Sequence, residues 1–275
     1  MLKFKVDIET CIGCGQCASD CPAMIISMDT GVPVIAEEIE QYCIHCMHCV
    51  AICSESSVSI HGYSPEEGEK LSKESLPSAK SLELLIKGRR SVRNFQDKNL
   101  DTDLIEKMIE VASHAPSGHN DRELLFTVID DKGVVFDLRE EAIAGVEQLI
   151  DNGTLPEDMD MFHDIIELWK SSEKDILFRG APHLLIVSAL EESASPLHDA
   201  VIALTTFELY ASSLGVGTIW NGLVTLTISE LVPSLRERLK IPDDHRIGYA
   251  MGFGLPAVRY ERSVERGLPR INRIT

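Results

Sequence analysis

All eight cysteines of this 275-residue chain lie between Cys11 and Cys53, in two sets that share the spacing C-x2-C-x2-C-x3-C. The first set comprises Cys11, Cys14, Cys17 and Cys21, and the second, 32 residues later, comprises Cys43, Cys46, Cys49 and Cys53. Residues 54–275 contain no cysteine, whereas a disulfide-stabilised secreted domain distributes its bridges through the fold. The block therefore predicts a metal site or thiol chemistry.

The spacing within each set is typical of cubane iron–sulfur clusters. Three cysteines separated by two-residue gaps can surround one face of a 4Fe–4S cluster, and the fourth ligates the other cluster of a pair. This arrangement assigns Cys11, Cys14, Cys17 and Cys53 to one cluster, and Cys43, Cys46, Cys49 and Cys21 to a second. Zinc, the alternative metal, usually takes two close cysteines and two distant ligands. We therefore predict two 4Fe–4S clusters, with His45 and His48 as surface residues of the cluster loop.

The same segment resembles a bacterial ferredoxin with two 4Fe–4S clusters. Its first set ends in Cys21-Pro22, as that family does, while its second set ends in Cys53-Ser54 and departs from the family. The resemblance implies clusters that move one electron at a time at low potential. A domain fused to them is then expected to accept single electrons.

Three segments after residue 80 could contact a ligand. Residues 89–93, RRSVR, carry three guanidinium groups and a hydroxyl, which suit a phosphate, although a solvated basic loop is the alternative. Residues 115–120, APSGHN, form a turn that a flat ligand could approach, but alone they fit an ordinary loop after a helix. Residues 215–223, GVGTIWNGL, indicate a helix end followed by a strand and do not match a dinucleotide-binding fingerprint.

In this order and spacing, the three segments resemble the nitroreductase family of FMN enzymes over residues 81–275. The resemblance implies a homodimer that binds FMN at its interface, with chemistry at flavin N5 and no catalytic side chain assigned. The implied FMN contacts are Arg89, Arg90, Ser91 and Arg93 on phosphate and ring edges, Ser117 and Asn120 from the other subunit, Asn221 and Gly222 beside N5, and Arg262 and Arg266 on phosphate. Residues 121–124, DREL, replace the x-Gln-Pro-Trp of many relatives, so contacts there are expected to differ.

These residues need a mixed framework of helices and strands to position them. Apolar runs predict strands at Leu124–Ile129, His183–Leu190, Gly217–Trp220 and Arg246–Met251, and shorter strand-like stretches at Leu2–Ile8, Met24–Met28 and Val58–His61. Helical spacing predicts helices at Leu82–Lys87, Asp103–Ala115, Asp137–Leu149, Glu157–Ser171 and Leu197–Leu214. The last helix is largely apolar, which predicts a central core or a subunit interface.

The predicted fold class is α+β, in two domains. Residues 1–63 form a small two-cluster ferredoxin-like domain, residues 64–80 form a polar linker, and residues 81–275 form a nitroreductase-like domain with a central sheet flanked by helices. The net charge of −18 argues against nucleic acid and anionic membrane partners, because both need a basic face. The N-terminal residues lack an apolar signal region and no apolar run reaches membrane-spanning length, so a cytoplasmic location is expected.

The functional hypothesis is an electron path from an external donor to the clusters, then to FMN, and then to a nitroaromatic, a quinone or an activated alkene. The donor would be ferredoxin or another low-potential carrier. Two alternatives remain: a flavin reductase that takes electrons from NAD(P)H, and an electron-carrier module that serves a partner protein without turning over a small molecule. His114 and His119 could donate protons, but structural roles are favoured for both.

Overall fold

The computed structural model describes residues 2–274 and divides the chain into two compact units. The first unit runs from the N-terminus to Pro77 and also contains His119–Asp121. The second unit comprises Ser78–Gly118 and the chain from Arg122 onward. All eight cysteines therefore belong to the first unit, and the arginine-rich segment 89–93 belongs to the second.

The first unit has little regular secondary structure. Its elements are, in chain order, β1 (Lys5–Val6), α1 (Gln16–Ser19), a 3-10 helix (Glu37–Tyr42), α2 (His48–Ala51), β2 (Val58–Ser59) and a second 3-10 helix (Pro65–Glu67). β1 and β2 pair antiparallel. Each one-turn helix begins after a left-handed residue, Gly15 at φ 71° and Met47 at φ 58°. Each of the two helices carries one cysteine, Cys17 in α1 and Cys49 in α2.

The strand predictions for this unit are confirmed only in part. β1 and β2 lie inside the predicted stretches, but each is only two residues long. The strand predicted at Met24–Met28 is wrong, because Ser27 there forms an isolated bridge with Val34. Met24 adopts left-handed backbone at φ 53°, which interrupts extended structure.

A small apolar cluster, which contains two cysteines, forms the centre of the first unit. Its buried members are Leu2, Cys17, Ile25, Ile26, Cys49, Val58 and Ile60. A unit of this size buries too little apolar surface to be stable on its core alone, so metal binding would contribute to its folding free energy.

The second unit is built on one antiparallel sheet with the order β3-β4-β6-β5. Its strands are β3 (Leu124–Ile129), β4 (His183–Leu190), β5 (Gly217–Trp220) and β6 (His245–Gly254). The predictions for β3, β4 and β5 are confirmed to the residue, and β6 extends beyond the predicted Arg246–Met251 at both ends.

The helices of the second unit cover this sheet. They are α3 (Ala79–Gly88), α4 (Thr102–Ala112), α5 (Lys132–Asp151), α6 (Met161–Ser172), α7 (Pro196–Ser213), α8 (Gly222–Leu226), a π-helical turn (Thr227–Leu231) and α9 (Ser234–Arg238), with 3-10 turns at Gly118–Asn120 and Glu157–Met159. Asp101 caps α4, because its side chain accepts a hydrogen bond from the Asp103 amide. The sequence analysis did not predict α8 or α9. None of the helices described between residues 2 and 274 has the length and apolarity needed to cross a bilayer.

The central strand β4 contributes to cores on both faces of the sheet. Leu184 and Ile186 belong to the core that α5 and α6 cover. Leu185 and Val187 belong to the core that α7 covers. Because successive side chains of a strand point to opposite faces, a continuous apolar run is what such a strand needs. The prediction of an α+β chain with a sheet flanked by helices is confirmed.

Candidate functional sites

Four cysteines surround one cavity of the first unit, which we call the first cysteine cavity. They are Cys11, Cys14, Cys17 and Cys53, and the cavity wall also includes Gly13 and Gly15. Gly13 has φ 66°, and a Cβ there would lie 2.9 Å from the Gly31 carbonyl oxygen. The glycine therefore permits both the left-handed turn and the close backbone approach that a cluster loop requires.

The other four cysteines surround a second cavity of the same unit, the second cysteine cavity. They are Cys21, Cys43, Cys46 and Cys49. Isoleucines form much of the remaining wall: Ile25, Ile26, Ile35, Ile44 and Ile60. The structure thus brings Cys53 to the first three cysteines of the chain and Cys21 to the first three of the second motif. This crossed grouping matches the pairing that a two-cluster ferredoxin requires.

Burial makes several of these thiols unfavourable as isolated anions. Burial, followed by the charge of neighbouring cysteines, raises the pKa of Cys17 and of Cys43 despite backbone N–H donors. Burial also raises the pKa of Cys49 to about 11. Bound iron supplies the positive charge that would keep such groups as thiolates, so the donor set fits a cluster in each cavity.

The histidines near the second cysteine cavity have different partners. His48 places Nδ1 3.0 Å from Asp20 Oδ2, and its side chain is exposed. His61 places Nε2 3.9 Å from Cys43 Sγ, and its ring lies 3.9 Å, centroid to centroid, from that of His45. His61 therefore contacts a predicted cluster ligand. The contact was not predicted from the sequence, because seven residues lie between His61 and the last cysteine, Cys53.

The second unit contains an open, positively charged cavity, which we call the basic cavity. Arg89, Arg90 and Arg259 line it together with Thr218 and Tyr260. The arginine segment runs beside β5, and the Val92 amide donates to the Thr218 carbonyl at 2.9 Å. The cavity therefore lies where the arginine segment, β5 and the C-terminal stretch meet.

Arg90 provides a test of whether this cavity fits a phosphate. Its Nη1 donates to the carbonyl oxygens of Lys87 at 2.8 Å and of Arg89 at 2.7 Å. Its Nη2 is buried and has no hydrogen-bond partner within the described chain. A buried guanidinium donor without an acceptor is costly, and phosphate oxygens would satisfy it. The cavity thus fits the phosphate group of a nucleotide.

Arg89 is held by a buried acid on α7. Its Nη1 lies 3.0 Å from Glu208 Oε1, which also accepts from Thr218 Oγ1 at 3.2 Å. The Arg89 and Glu208 side chains are 24% and 7% exposed, respectively. Glu208 was not predicted from the sequence, where the available signal was an acid near the end of a long, largely apolar helix. The remaining members of the RRSVR segment are Ser91, which is half-buried, and Arg93, which is exposed.

Ser117 and Asn120 each form a hydrogen bond with the backbone of another residue. Ser117 Oγ accepts from the Arg122 amide at 3.0 Å. The neighbouring Gly118 amide donates to both oxygens of Asp199, a buried acid at the start of α7. Asn120 belongs to the first unit and donates from Nδ2 to the Ile44 carbonyl at 2.9 Å. Their predicted contact with flavin remains a prediction.

The Asn221 side chain makes two hydrogen bonds within the second unit. Its Oδ1 accepts from the Val224 amide at 3.1 Å and caps α8, while its Nδ2 donates to the Leu177 carbonyl at 2.9 Å. The residue is 4% exposed. A Cβ at the adjacent Gly222 would lie 2.7 Å from the Tyr249 hydroxyl. The predicted placement of Asn221 and Gly222 beside flavin N5 remains a prediction.

The C-terminal stretch presents different residues to the basic cavity from those predicted. Arg259 and Tyr260 line the cavity, whereas the predicted Arg262 and Arg266 lie on an exposed segment outside its wall. Tyr260 Oη lies 3.5 Å from the Ser91 carbonyl oxygen, which ties this stretch to the arginine segment. The predicted contacts of Arg262 and Arg266 with phosphate remain predictions.

Taken together, these features define a class of protein: an oxidoreductase that joins a two-cluster iron–sulfur module to an α+β module. Residues 10–58 match the 4Fe-4S dicluster domain, and residues 86–255 match the Nitroreductase family. The chain belongs to the nitroreductase family and carries an N-terminal 4Fe–4S dicluster domain. The expected resemblance, and with it an FMN-dependent oxidoreductase of the nitroreductase type, is confirmed.

Individual relatives are distant. A putative NADH dehydrogenase/NAD(P)H nitroreductase of Methanothermobacter thermautotrophicus is 27% identical, covering 62% of this chain and 75% of its own. An NADPH-dependent oxidoreductase of Staphylococcus aureus USA300 is 25% identical, covering 63% of this chain and 64% of its own. The chain thus spans about two thirds to three quarters of these relatives.

Solved structures share the fold of the second unit. A nitroreductase with bound FMN from Bacteroides fragilis has a TM-score of 0.56 at 23% identity and covers 70% of this chain and 98% of its own. A nitroreductase with bound FMN from Desulfitobacterium hafniense has a TM-score of 0.55 at 23% identity, with the same coverage. At this identity, the comparison establishes the fold alone.

Proposed function

We propose that this protein is an iron–sulfur flavoprotein that passes electrons from two 4Fe–4S clusters to FMN and then to an organic acceptor. The observation that carries the proposal is the grouping of the eight cysteines, four around each of two cavities, in a chain whose second unit has the nitroreductase fold. A cluster pair delivers electrons singly, and fusion to a flavin fold supplies a group that can accept them.

FMN binding is proposed at the basic cavity. Arg89, Arg90 and Arg259 would hold the phosphate, because the cavity carries a buried guanidinium nitrogen that lacks an acceptor. Glu208 fixes Arg89 in place and Thr218 supports Glu208. When bound, FMN supplies one-electron acceptance and two-electron or hydride delivery. The chain's own residues bind and orient it and stabilise negative charge near it.

The proposed acceptors are nitroaromatics, quinones and activated alkenes, and the proposed donor is ferredoxin or another low-potential carrier. The cluster domain favours such a donor, because clusters accept single electrons from a protein carrier. NAD(P)H, in contrast, can transfer a hydride to flavin directly and needs no cluster. A second candidate is an enzyme that takes electrons from NAD(P)H, since relatives carry the names NADPH-dependent oxidoreductase and NAD(P)H nitroreductase. A cytoplasmic location accompanies either candidate, since reduced thiols persist there.

A homodimer is proposed as the working form. Val201 and Ile202 on α7 are 41% and 39% exposed, while Ala200, Ala203 and Leu204 on the same helix are buried. Leu268 in the C-terminal stretch is exposed as well. A second subunit would remove these apolar surfaces from water.

Anaerobic purification followed by cofactor analysis tests the proposal. We expect about eight irons, eight sulfides and one FMN per chain, counted from two cubane clusters and one flavin. Steady-state assays with a nitroaromatic acceptor would then compare reduced ferredoxin with NADPH. Faster turnover with ferredoxin supports the first candidate, and faster turnover with NADPH supports the second. A preparation that binds neither iron nor FMN after anaerobic reconstitution would contradict both candidates.

A further inference from the structure

The two cysteine cavities differ in their surroundings. Both are lined largely by apolar atoms, but the first wall includes Ser54, Glu55 and Ser57 beside Ile12, Pro33 and Val58, whereas the second includes five isoleucines. A reduced 4Fe–4S cluster carries one more negative charge than the oxidised form, so an apolar wall disfavours reduction. The isoleucine lining should therefore lower the reduction potential of the cluster in the second cavity.

One ligand of the second cavity has a histidine nitrogen beside it. His61 Nε2 lies 3.9 Å from Cys43 Sγ, and the His61 amide donates to the Leu2 carbonyl at 2.8 Å, which anchors the residue. The His45 ring lies 3.9 Å, centroid to centroid, from the His61 ring. In the first cavity, the contact to a cysteine sulfur comes instead from the backbone, where the Ser57 amide donates to Cys53 Sγ at 3.2 Å.

We infer that His61 is a tuning residue: by donating a hydrogen bond to Cys43 Sγ, it raises the reduction potential of the cluster in the second cysteine cavity. This inference rests on the proposed function, because it requires both cavities to hold clusters. A donor to a ligating sulfur stabilises the more negative, reduced cluster and so raises its potential. The effect of His61 is therefore opposite in sign to that of the isoleucine lining.

The donor atoms of Cys43, His45 and His61 also lie within 4.8 Å of one another, close enough to hold a single metal ion. Such an ion would compete with the cluster for Cys43, whereas the tuning role leaves Cys43 on the cluster. Metal analysis separates the two arrangements. Eight irons and no zinc agree with tuning, while four irons and one zinc per chain would overturn it.

The test is a potentiometric titration of the anaerobically purified full chain, followed by electron paramagnetic resonance. Wild type should show two cluster signals. His61→Leu removes the donor, and His61→Gln retains an amide donor. His48→Leu is the matched control, since His48 lies on the wall of the second cavity but directs Nδ1 to Asp20. Iron, sulfide and FMN are counted for every variant.

We expect His61→Leu to move one of the two cluster potentials to a lower value and leave the other in place. His61→Gln should give a smaller shift, and His48→Leu should leave both potentials unchanged. Unchanged potentials in a His61→Leu protein with eight irons would overturn the inference while leaving the proposed function intact. If His61→Leu loses iron, His61→Phe decides, because it also lacks a donor, and an unshifted His61→Phe potential would overturn the inference as well. Absence of iron in wild type would instead reject the proposed function.

Discussion

The last cysteine of each C-x2-C-x2-C-x3-C motif lines the same cavity as the first three cysteines of the other motif. Cys53 lines the first cysteine cavity, and Cys21 lines the second. The arrangement makes the two sites interdependent, because each motif supplies ligands to both. A change in one motif is therefore expected to act on the cluster that the tertiary structure assigns to it.

This crossing predicts which substitutions resemble one another. Cys53→Ala should remove the same cluster as Cys17→Ala, although Cys53 belongs to the second motif. Iron should fall from about eight to about four per chain in both variants, since each cubane holds four. Paramagnetic resonance of the remaining cluster gives the measurement. Cys49→Ala is the comparison, and a Cys53→Ala spectrum that matches it rather than Cys17→Ala would contradict the grouping.

Glu208 forms an ion pair with Arg89 at the basic cavity. Glu208→Gln removes the charge that pairs with Arg89, and the pair lies mostly inside the protein. Breaking such a pair should lower the free energy of unfolding by about 2 kcal/mol, a modest value because Arg89 is partly hydrated. FMN binding should weaken about tenfold as Arg89 loses its orientation.

Urea unfolding and a fluorescence titration with FMN measure the two effects. Glu230→Gln is the control, because Glu230 is exposed and the substitution is the same. Equal unfolding free energies for the two variants would contradict the role assigned to Glu208.

At the scale of elements, β6 and α7 pack so closely that a glycine is needed between them. A Cβ at Gly248 would lie 2.2 Å from the Ala200 Cβ and 3.2 Å from the Val187 carbonyl oxygen. The helix can therefore lie against the sheet only where β6 carries no side chain. The same contact places the buried face of α7, which includes Glu208, beneath the sheet.

Gly248→Ala should lower the free energy of unfolding by about 2 kcal/mol, because the added methyl group overpacks this contact. Chemical denaturation measures the loss. Gly88→Ala is the control, since a Cβ at Gly88 would meet nothing within 4 Å. Adding Ala200→Gly to Gly248→Ala should restore part of the stability. Equal free energies of unfolding for Gly248→Ala and Gly88→Ala would contradict this prediction, because the helix could then move away from the sheet without loss of stability.

At the scale of the whole molecule, the proposed dimer depends on the outer face of α7. Val201→Glu places a charge among apolar residues that a second subunit would cover. Ser171→Glu, at an exposed position of α6, is the control. Light scattering after gel filtration should show monomers for Val201→Glu and dimers for both wild type and Ser171→Glu. FMN content should fall with the monomer, because the proposed site needs both subunits. A dimeric Val201→Glu protein would require a different interface.

Much of the fold follows from local patterns in the sequence. Strands β3, β4 and β5 coincide with their apolar runs, because the sheet is covered on both faces and such strands need continuous apolarity. The dicluster domain was predictable for a similar reason: ligand spacing along the chain is itself the constraint on the metal. In contrast, the strand predicted at Met24–Met28 was wrong. The apolar pattern of this stretch gives no sign that Met24 adopts a left-handed backbone conformation.

The sequence by itself determined the metal-binding class, the α+β framework and the arginine-rich segment, since each depends on residues close together along the chain. Only the tertiary structure decided which distant side chains meet. It brought Glu208 to Arg89, Arg259 to the basic cavity and His61 to Cys43. Such contacts depend on how elements pack against one another, and packing is set by the whole core rather than by any local pattern.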